Sequence, residues 1–297
     1  MIYQRQKVLL ALLGKSPNSS ASKIQFVKWL FLLREEENID RYVNFYNFFP
    51  YKYGPFSFLA YKDIAELERS GWVKSDSNSF RYTVPEKDVD KLTLPPDVTR
   101  SIEKILENYG RLSQQDLIEY VYRKYPWYAS RSEIRQSIRP IDTSNARLAI
   151  YSLGYEGLSI DAFLDVILKA AIRIAIDSRN NPISRKYGFS KAVLAGKCSD
   201  VGIEYYHFPE LGIPSEVRRQ IQDKNALWDL YAKEIIPGKP EILRSIASIC
   251  KADPSVLICF EEKPEDCHRH IMARELSRRT SLPVIHYRKT IEKWQRE

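Results

Sequence analysis

Cysteine is scarce in this 297-residue chain: Cys198, Cys250, Cys259 and Cys267 are the only four. They are too few and too irregularly spaced for the disulfide framework of a secreted domain, so a reducing cytoplasm is the expected setting. No apolar run is long enough to span a bilayer, and the opening "MIYQRQKVLLALLGKSPNSS" lacks a small-residue cleavage site. It predicts a helix, no signal peptide and no membrane partner. A strong excess of one charge sign is also missing. The net charge of +8 permits nucleic-acid binding without demanding it.

What is present divides the chain. Its length favours two domains. Most aromatic residues precede residue 140, whereas all four cysteines and all four histidines lie beyond residue 190. We therefore expect a boundary near "SIRPIDTSNARLAI", with domains at 1–140 and 148–297.

In the first half, "IYQRQKVLLALLG" has helical spacing with Gly14 as its stop, and "KIQFVKWLFLLREEE" predicts a second helix with Ile24, Val27, Leu30 and Phe31 as its stripe. "FFPYKYGPFS" reads as a loop, and Ser57 as the cap of the helix "FLAYKDIAELERSG". "WVKSDSNSFRYTV" carries a hairpin signal. Helices followed by a hairpin predict an α+β winged helix-turn-helix domain that binds nucleic acid, DNA above all. Lys52, Arg69, Lys74, Arg81, Arg123, Lys124, Arg131 and Arg135 are the candidate phosphate contacts. The alternative is a solvated face of a protein–protein module, and since winged helices also dimerise, a homodimer is open. Tyr51, Tyr53 and Phe56 could stack on bases, but packing on their own helices is the better expectation. "PYKYGPFS" and "YVYRKYPWYASRSEI" (120–134) resemble elements of a prokaryotic winged-helix family, uncharacterised or antitoxin-like.

From residue 148 strand-like and helix-like segments alternate: "LAIYSLGY", "SIDAFLDVILKAA" with Ser159 as N-cap, "IRIAID", "KAVLAGKCSDVG", "IEYYHFP", "ALWDLYAKEII", "PEILRSIASICKA", "SVLICF", a helix from about Cys267, and "PVIHY". That alternation predicts an α/β fold, a parallel sheet with flanking helices. The strands' carboxyl ends should then gather Tyr155, Asp177, Arg179, Ser184, Arg185, Glu210, Glu261, Cys267, His268 and Arg269 in one crevice. "YSLGYEG", "DSRNNPISR", "FPELG" and "CFEEKPEDCHR" resemble the successive motifs of the domain of unknown function 488 family. The resemblance covers 148 to about 287, with "LGIPSEVRRQ" as a departure. It implies an α/β enzyme-like fold and a prokaryotic source.

Three chemistries suit "CFEEKPEDCHRH". Cys259, Cys267, His268 and His270 are zinc-ligand types, but adjacent Cys-His and a spacing of eight fit neither a finger nor a ribbon, so neither metal nor cofactor is expected. A Cys267 nucleophile is opposed by Glu265 and Asp266, and the segment does not match a phosphatase loop. The preferred reading is an anion grip with acid/base chemistry. Asp177, Glu261 and His268 are its candidate catalytic groups; Tyr155, Arg179, Ser184, Arg185, Cys267 and Arg269 are candidates for holding substrate or phosphate. Its competitor is a structural network pairing Asp177 and Arg179 with Glu261 and Arg269. Joined to the first half, this predicts a DNA-processing hydrolase, a glycosylase or a phosphoester hydrolase, acting on modified or damaged DNA in repair or defence. The alternative is a nucleotide- or anion-sensing regulator without catalysis.

Overall fold

A computed structural model describes residues 2–83, 92–134 and 147–287. The chain divides into two compact units, Met1–Ile141 and Asp142–Glu297.

The first unit runs α1 (Gln4–Lys15), β1 (Ser20–Ser22), α2 (Lys23–Glu35), β2 (Phe49–Tyr51), β3 (Gly54–Phe56), α3 (Phe58–Arg69), β4 (Val73–Ser75), β5 (Ser79–Tyr82), α4 (Pro96–Tyr109), α5 (Gln114–Lys124) and α6 (Pro126–Ala129). Ser22 starts α2 with a capping box: its hydroxyl accepts from the Gln25 amide, and the Gln25 side chain reaches back to the Ser22 amide. Ser57 caps α3 by accepting from the Ala60 amide. β1, β5 and β4 form an antiparallel sheet in that order. The β4–β5 turn is held by the Asp76 carboxylate, which accepts from Asn78 and Ser79. Those bonds bring its pKa down to about 2.

Two expectations are corrected here. Gly14 lies inside α1, which continues to Lys15. "FFPYKYGPFS" contains a second hairpin, β2–β3, because Gly54 takes the left-handed backbone that closes the turn, with φ +100°. Tyr51 and Phe56 belong to an aromatic group with Phe49 and Phe58, while Tyr53 is exposed.

α2 is buried on every side from Phe26 to Leu33, and that run includes Lys28. Its ammonium donates to the Tyr53 carbonyl at 2.7 Å and lies 5.3 Å from the centre of the Tyr122 ring. Burial pushes its pKa down to about 7. A second buried polar group ties α1 to α3: the Asp63 carboxylate accepts from Arg5 at 2.6 Å and from the Tyr46 hydroxyl at 2.9 Å.

The second unit runs β6 (Ile150–Gly154), α7 (Ile160–Lys169), β7 (Ile174–Asp177), α8 (Lys191–Asp200), β8 (Glu204–His207), α9 (Ser215–Gln220), α10 (Lys224–Leu230), α11 (Pro240–Ala252), β9 (Ser255–Cys259), α12 (Arg269–Thr280) and β10 (Val284–Tyr287). The Ser159 hydroxyl caps α7 by accepting from Ala162. The five strands form the expected parallel sheet in the order β10-β6-β9-β7-β8. β6, β9 and β7 are buried along their whole length, which is why they read as largely apolar runs; the edge strands β8 and β10 are half-exposed. Ile150, Ile174, Ile176 and Leu257 form a core with residues of α10, α11 and α12. The crossovers through α7 and α8 step across the sheet in the direction opposite to the later ones, and the usual right-handed connection would carry those two helices to the opposite face. β6 and β9 are neighbours whose connections leave in opposite directions, toward β7 and toward β10, so a switch point lies at their carboxyl ends. Among the described residues, no helix is long and apolar enough to cross a membrane.

Lys28 gives a testable stability dependence. Its proton is bound more tightly unfolded, near the ordinary pKa of 10.5, than folded, near 7. The unfolded chain therefore holds more protons between those pH values, and this group's penalty is full below pH 7 and fades toward pH 10.5. Lys28→Met should stabilise the unit by a few kcal/mol (about 1–4) at pH 6 and by much less at pH 9.5, read by urea unfolding at both pH values.

Candidate functional site

Gly154, Cys259, Asp177 and His207 end four adjacent strands and stand in register: Gly154 opposite Cys259, Asp177 opposite Ile258 and His207. The side chains beyond these ends fall into two clusters with different chemistry.

The first is closed on itself. Asp177 is fully buried and accepts from Arg179 Nε at 2.9 Å, Arg179 Nη2 at 2.6 Å, the Arg179 amide at 3.0 Å and the Tyr205 hydroxyl at 2.6 Å. Arg179 Nη1 donates to the Tyr155 hydroxyl and the Phe189 carbonyl, both at 2.8 Å. Tyr155 stacks on Phe189 with centroids 4.1 Å apart. Burial opposes the charged guanidinium, but the bonds to Asp177 outweigh it and raise the Arg179 pKa. Burial and the Asp177 carboxylate together raise Tyr205 as well. A forked, buried pair with this many partners is a structural brace, with no carboxylate edge left facing solvent.

The second cluster surrounds the turn from β9 into α12. Cys259, Cys267 and His268 are buried, and Glu261 is half-buried. Cys259 Sγ lies 3.2 Å from Glu261 Oε2, and His268 Nδ1 lies 3.9 Å from both sulfurs. His268 Nε2 faces the buried Ser178 hydroxyl at 3.3 Å. Arg218, from α9, approaches Glu261 Oε1 at 3.5 Å and His268 Nδ1 at 3.4 Å. Burial alone would raise the Cys267 thiol, but a hydrogen bond with Cys259 and the neighbouring His268 and Arg269 override it and hold it well below the ordinary thiol range. Cys259 is pushed up by that same bond and by burial. Burial and the nearby Cys267 sulfur raise Glu261.

Arg269 turns all three of its nitrogens onto protein oxygens. Nε donates to Ser152 Oγ at 3.0 Å, Nη1 to the Glu261 carbonyl at 2.5 Å and Nη2 to the Glu262 carbonyl at 2.8 Å. It is fully buried and holds the loop after β9, so it is a positioning residue and not an anion grip. Ser184 serves its own loop, bonding to Ser190 and Lys186. Arg185 is exposed and makes no ion pair among the described residues. Glu210 is exposed, and His270 turns away from the thiols to the Cys267 carbonyl at 2.6 Å.

The expected crevice thus separates into a brace (Tyr155, Asp177, Arg179), a reactive group (Glu261, Cys267, His268), the loop anchor Arg269, and Ser184 and Arg185 on another loop. The structural network anticipated as a competitor exists with different partners: Asp177 pairs with Arg179, but Glu261 meets Arg218 and Cys259. Ser178, Tyr205 and Arg218 were not among the candidates, and Cys259 stood only among the zinc-ligand types. Arg218 lies in the departing stretch "LGIPSEVRRQ", where no motif marks it.

In the first unit, Lys74 and Arg81 are paired across β4 and β5 and both exposed. Lys52 faces Glu133 at 3.4 Å, Lys124 faces Glu36 at 2.8 Å, and Arg69 turns back onto the Ala65 carbonyl. Arg123 and Arg131 are exposed, and Arg135 lies outside the described residues.

Residues 159–276 match the family model described as Domain of unknown function DUF488. The match runs from the cap of α7 into α12, so it includes β7, β8 and β9 and leaves β6, with "YSLGYEG", outside. No curated protein and no solved structure matches the chain.

The brace reading carries its own test. Asp177→Ala leaves a buried guanidinium without its carboxylate and should cost about 3–5 kcal/mol of stability in urea unfolding. A stability within about 0.5 kcal/mol of the wild type would contradict a structural role for Asp177.

Proposed function

We propose that this chain binds DNA through its N-terminal unit and hydrolyses a bond of modified or damaged DNA with its C-terminal unit, by base excision or phosphoester cleavage, in repair or defence. The observation that supports the DNA half is the succession α1-β1-α2-α3-β4-β5, which is similar to that of a winged helix with the β2–β3 hairpin inserted between α2 and α3, together with the exposed cationic pair on β4 and β5. Like charges placed directly opposite one another on a strand pair are unfavourable, so Lys74 and Arg81 suit an anionic partner. α3, in the position of the recognition helix, carries Glu66 and Glu68 beside Lys62 and Arg69. Phosphate attraction therefore falls on the wing.

In the hydrolytic half, Glu261 rather than Asp177 is the group available to a reacting bond. It keeps partial exposure at the switch point, whereas Asp177 has none. The closed Asp177 brace equally favours a second reading, a winged-helix regulator whose C-terminal unit senses a nucleotide or similar anion without turnover.

One experiment separates them. The full chain is incubated with modified and unmodified duplex and single-stranded DNA, and retardation, abasic sites and strand breaks are read after alkali. Base release or cleavage that disappears in Glu261→Gln is the expected result. DNA that is retarded but chemically intact would move the reading to the regulator. Lys74→Ala/Arg81→Ala should weaken retardation and flatten the dependence of log K on log salt by about 1.8, or about 0.9 for each lost phosphate contact. An unchanged salt slope would remove the wing from the interface.

A further inference from the structure

Two thiols and an imidazole converge inside the second unit with few polar partners of their own. Cys259 Sγ, Cys267 Sγ and His268 Nδ1 lie within 4.8 Å of one another, and all three residues are buried. Nδ1 is 3.9 Å from each sulfur. Bond lengths of about 2.3 Å to sulfur and about 2.0 Å to nitrogen give a tetrahedral zinc site a sulfur–nitrogen edge of about 3.6 Å. Each sulfur–nitrogen edge therefore needs to close by only a few tenths of an ångström, and the sulfurs, within 4.8 Å of each other, by no more than about 1 Å.

We propose that Cys259, Cys267 and His268 bind Zn2+, with the Glu261 carboxylate beside its fourth coordination position. Four observations converge on this assignment. Thiolate and imidazole donors select zinc over magnesium or calcium, which take oxygen. Two thiolates neutralise the ion, so the site carries no net charge into a buried place. The ring nitrogen turned away from the sulfurs faces Ser178 Oγ, which fixes the imidazole as outer partners of metal-bound histidines do. Adjacent residues can both reach the ion because the chain changes conformation between them, Cys267 being extended (φ −136°, ψ 141°) and His268 helical (φ −58°, ψ −21°). Arg218 competes for the Nδ1 lone pair at 3.4 Å, but its side chain is 38% exposed and already reaches Glu261. It can withdraw to that carboxylate.

Three protein ligands and one vacant position are the pattern of catalytic zinc. Zinc held there would supply activation of water for attack at carbon or phosphorus, and the half-buried Glu261 carboxylate is the neighbouring group that could orient that water. That use rests on the hydrolytic reading above; metal binding does not, and it is measured without DNA.

The test uses the full chain. Metal content is measured as purified; the chain is then stripped with a chelator, reduced and titrated with Co2+ while its absorption and circular dichroism are followed. One equivalent should bind with a thiolate-to-cobalt charge-transfer band that Zn2+ abolishes. The band should be lost in Cys259→Ser and Cys267→Ser, and kept in Glu261→Gln and His270→Ala. A folded, reduced wild-type chain that gives no band overturns the proposal. So does a band that survives Cys267→Ser, or a Cys259–Cys267 disulfide that takes up no metal after reduction. Stoichiometric zinc in a chain that ignores DNA would sustain the site and sink the DNA reading alone.

Discussion

Everything chemical in the C-terminal unit depends on where one guanidinium is held. Arg269 opens α12, is fully buried, and bridges the β6 side chain Ser152 to the carbonyls of Glu261 and Glu262. A buried charge with these partners is stabilised only while the loop after β9 stays folded over the end of β6. That closeness also requires Gly154. A Cβ there would stand 1.7 Å from the Glu261 carbonyl oxygen, a separation no side chain can tolerate. Arginine and glycine therefore act on the same backbone crossing, at the Glu261 carbonyl. The crossing aims Cys259, Glu261, Cys267 and His268 at the same small volume.

The two clusters beside that crossing differ in how far their polar groups are satisfied. In one, Asp177, Arg179, Tyr155 and Tyr205 exchange bonds of 2.6–3.0 Å and form a rigid brace. In the other, the contacts are longer, 3.2–3.9 Å, and involve sulfur, imidazole and a half-exposed carboxylate. Satisfied buried networks rigidify a fold, whereas loosely matched ones mark places built for something else. Distance and partner count, rather than residue type, separate scaffold from site.

Much of this fold was legible in the sequence because its signals are local. Largely apolar runs marked β6, β7 and β9, and serines marked the starts of α3 and α7. The rim itself followed from the alternation of strands and helices. The roles on the rim did not, because pairing is decided across the sheet. Nothing local says that Arg179 turns onto Asp177 two residues earlier, or that Arg269 turns onto backbone. Cys259 stood only as one of four zinc-ligand types, and Arg218 stood in a stretch without a motif. Ligand spacing along the chain is silent here for a related reason. Finger and ribbon spacings describe turns within one ribbon, whereas here the two cysteines lie on opposite sides of a strand-to-helix turn. The "PYKYGPFS" hairpin was hidden by its two prolines, which face each other across it as Pro50 and Pro55.

The N-terminal unit shows how internal pairing narrows a surface. Its positive side chains outnumber the sites a partner could use, since many are committed within the unit. Arg5 serves Asp63, Lys28 is buried against Tyr53, and Lys124 completes a Glu36 network with Tyr109, Tyr120 and Tyr125. That network is itself a reason for the aromatic richness of this half, because tyrosine hydroxyls neutralise a carboxylate while their rings fill the core. Lys74 and Arg81 remain exposed and opposite one another on β4 and β5, with mutual repulsion that an anion would relieve. The proposed nucleic-acid contact thus rests on where these two cations face each other, and not on the net charge of the chain.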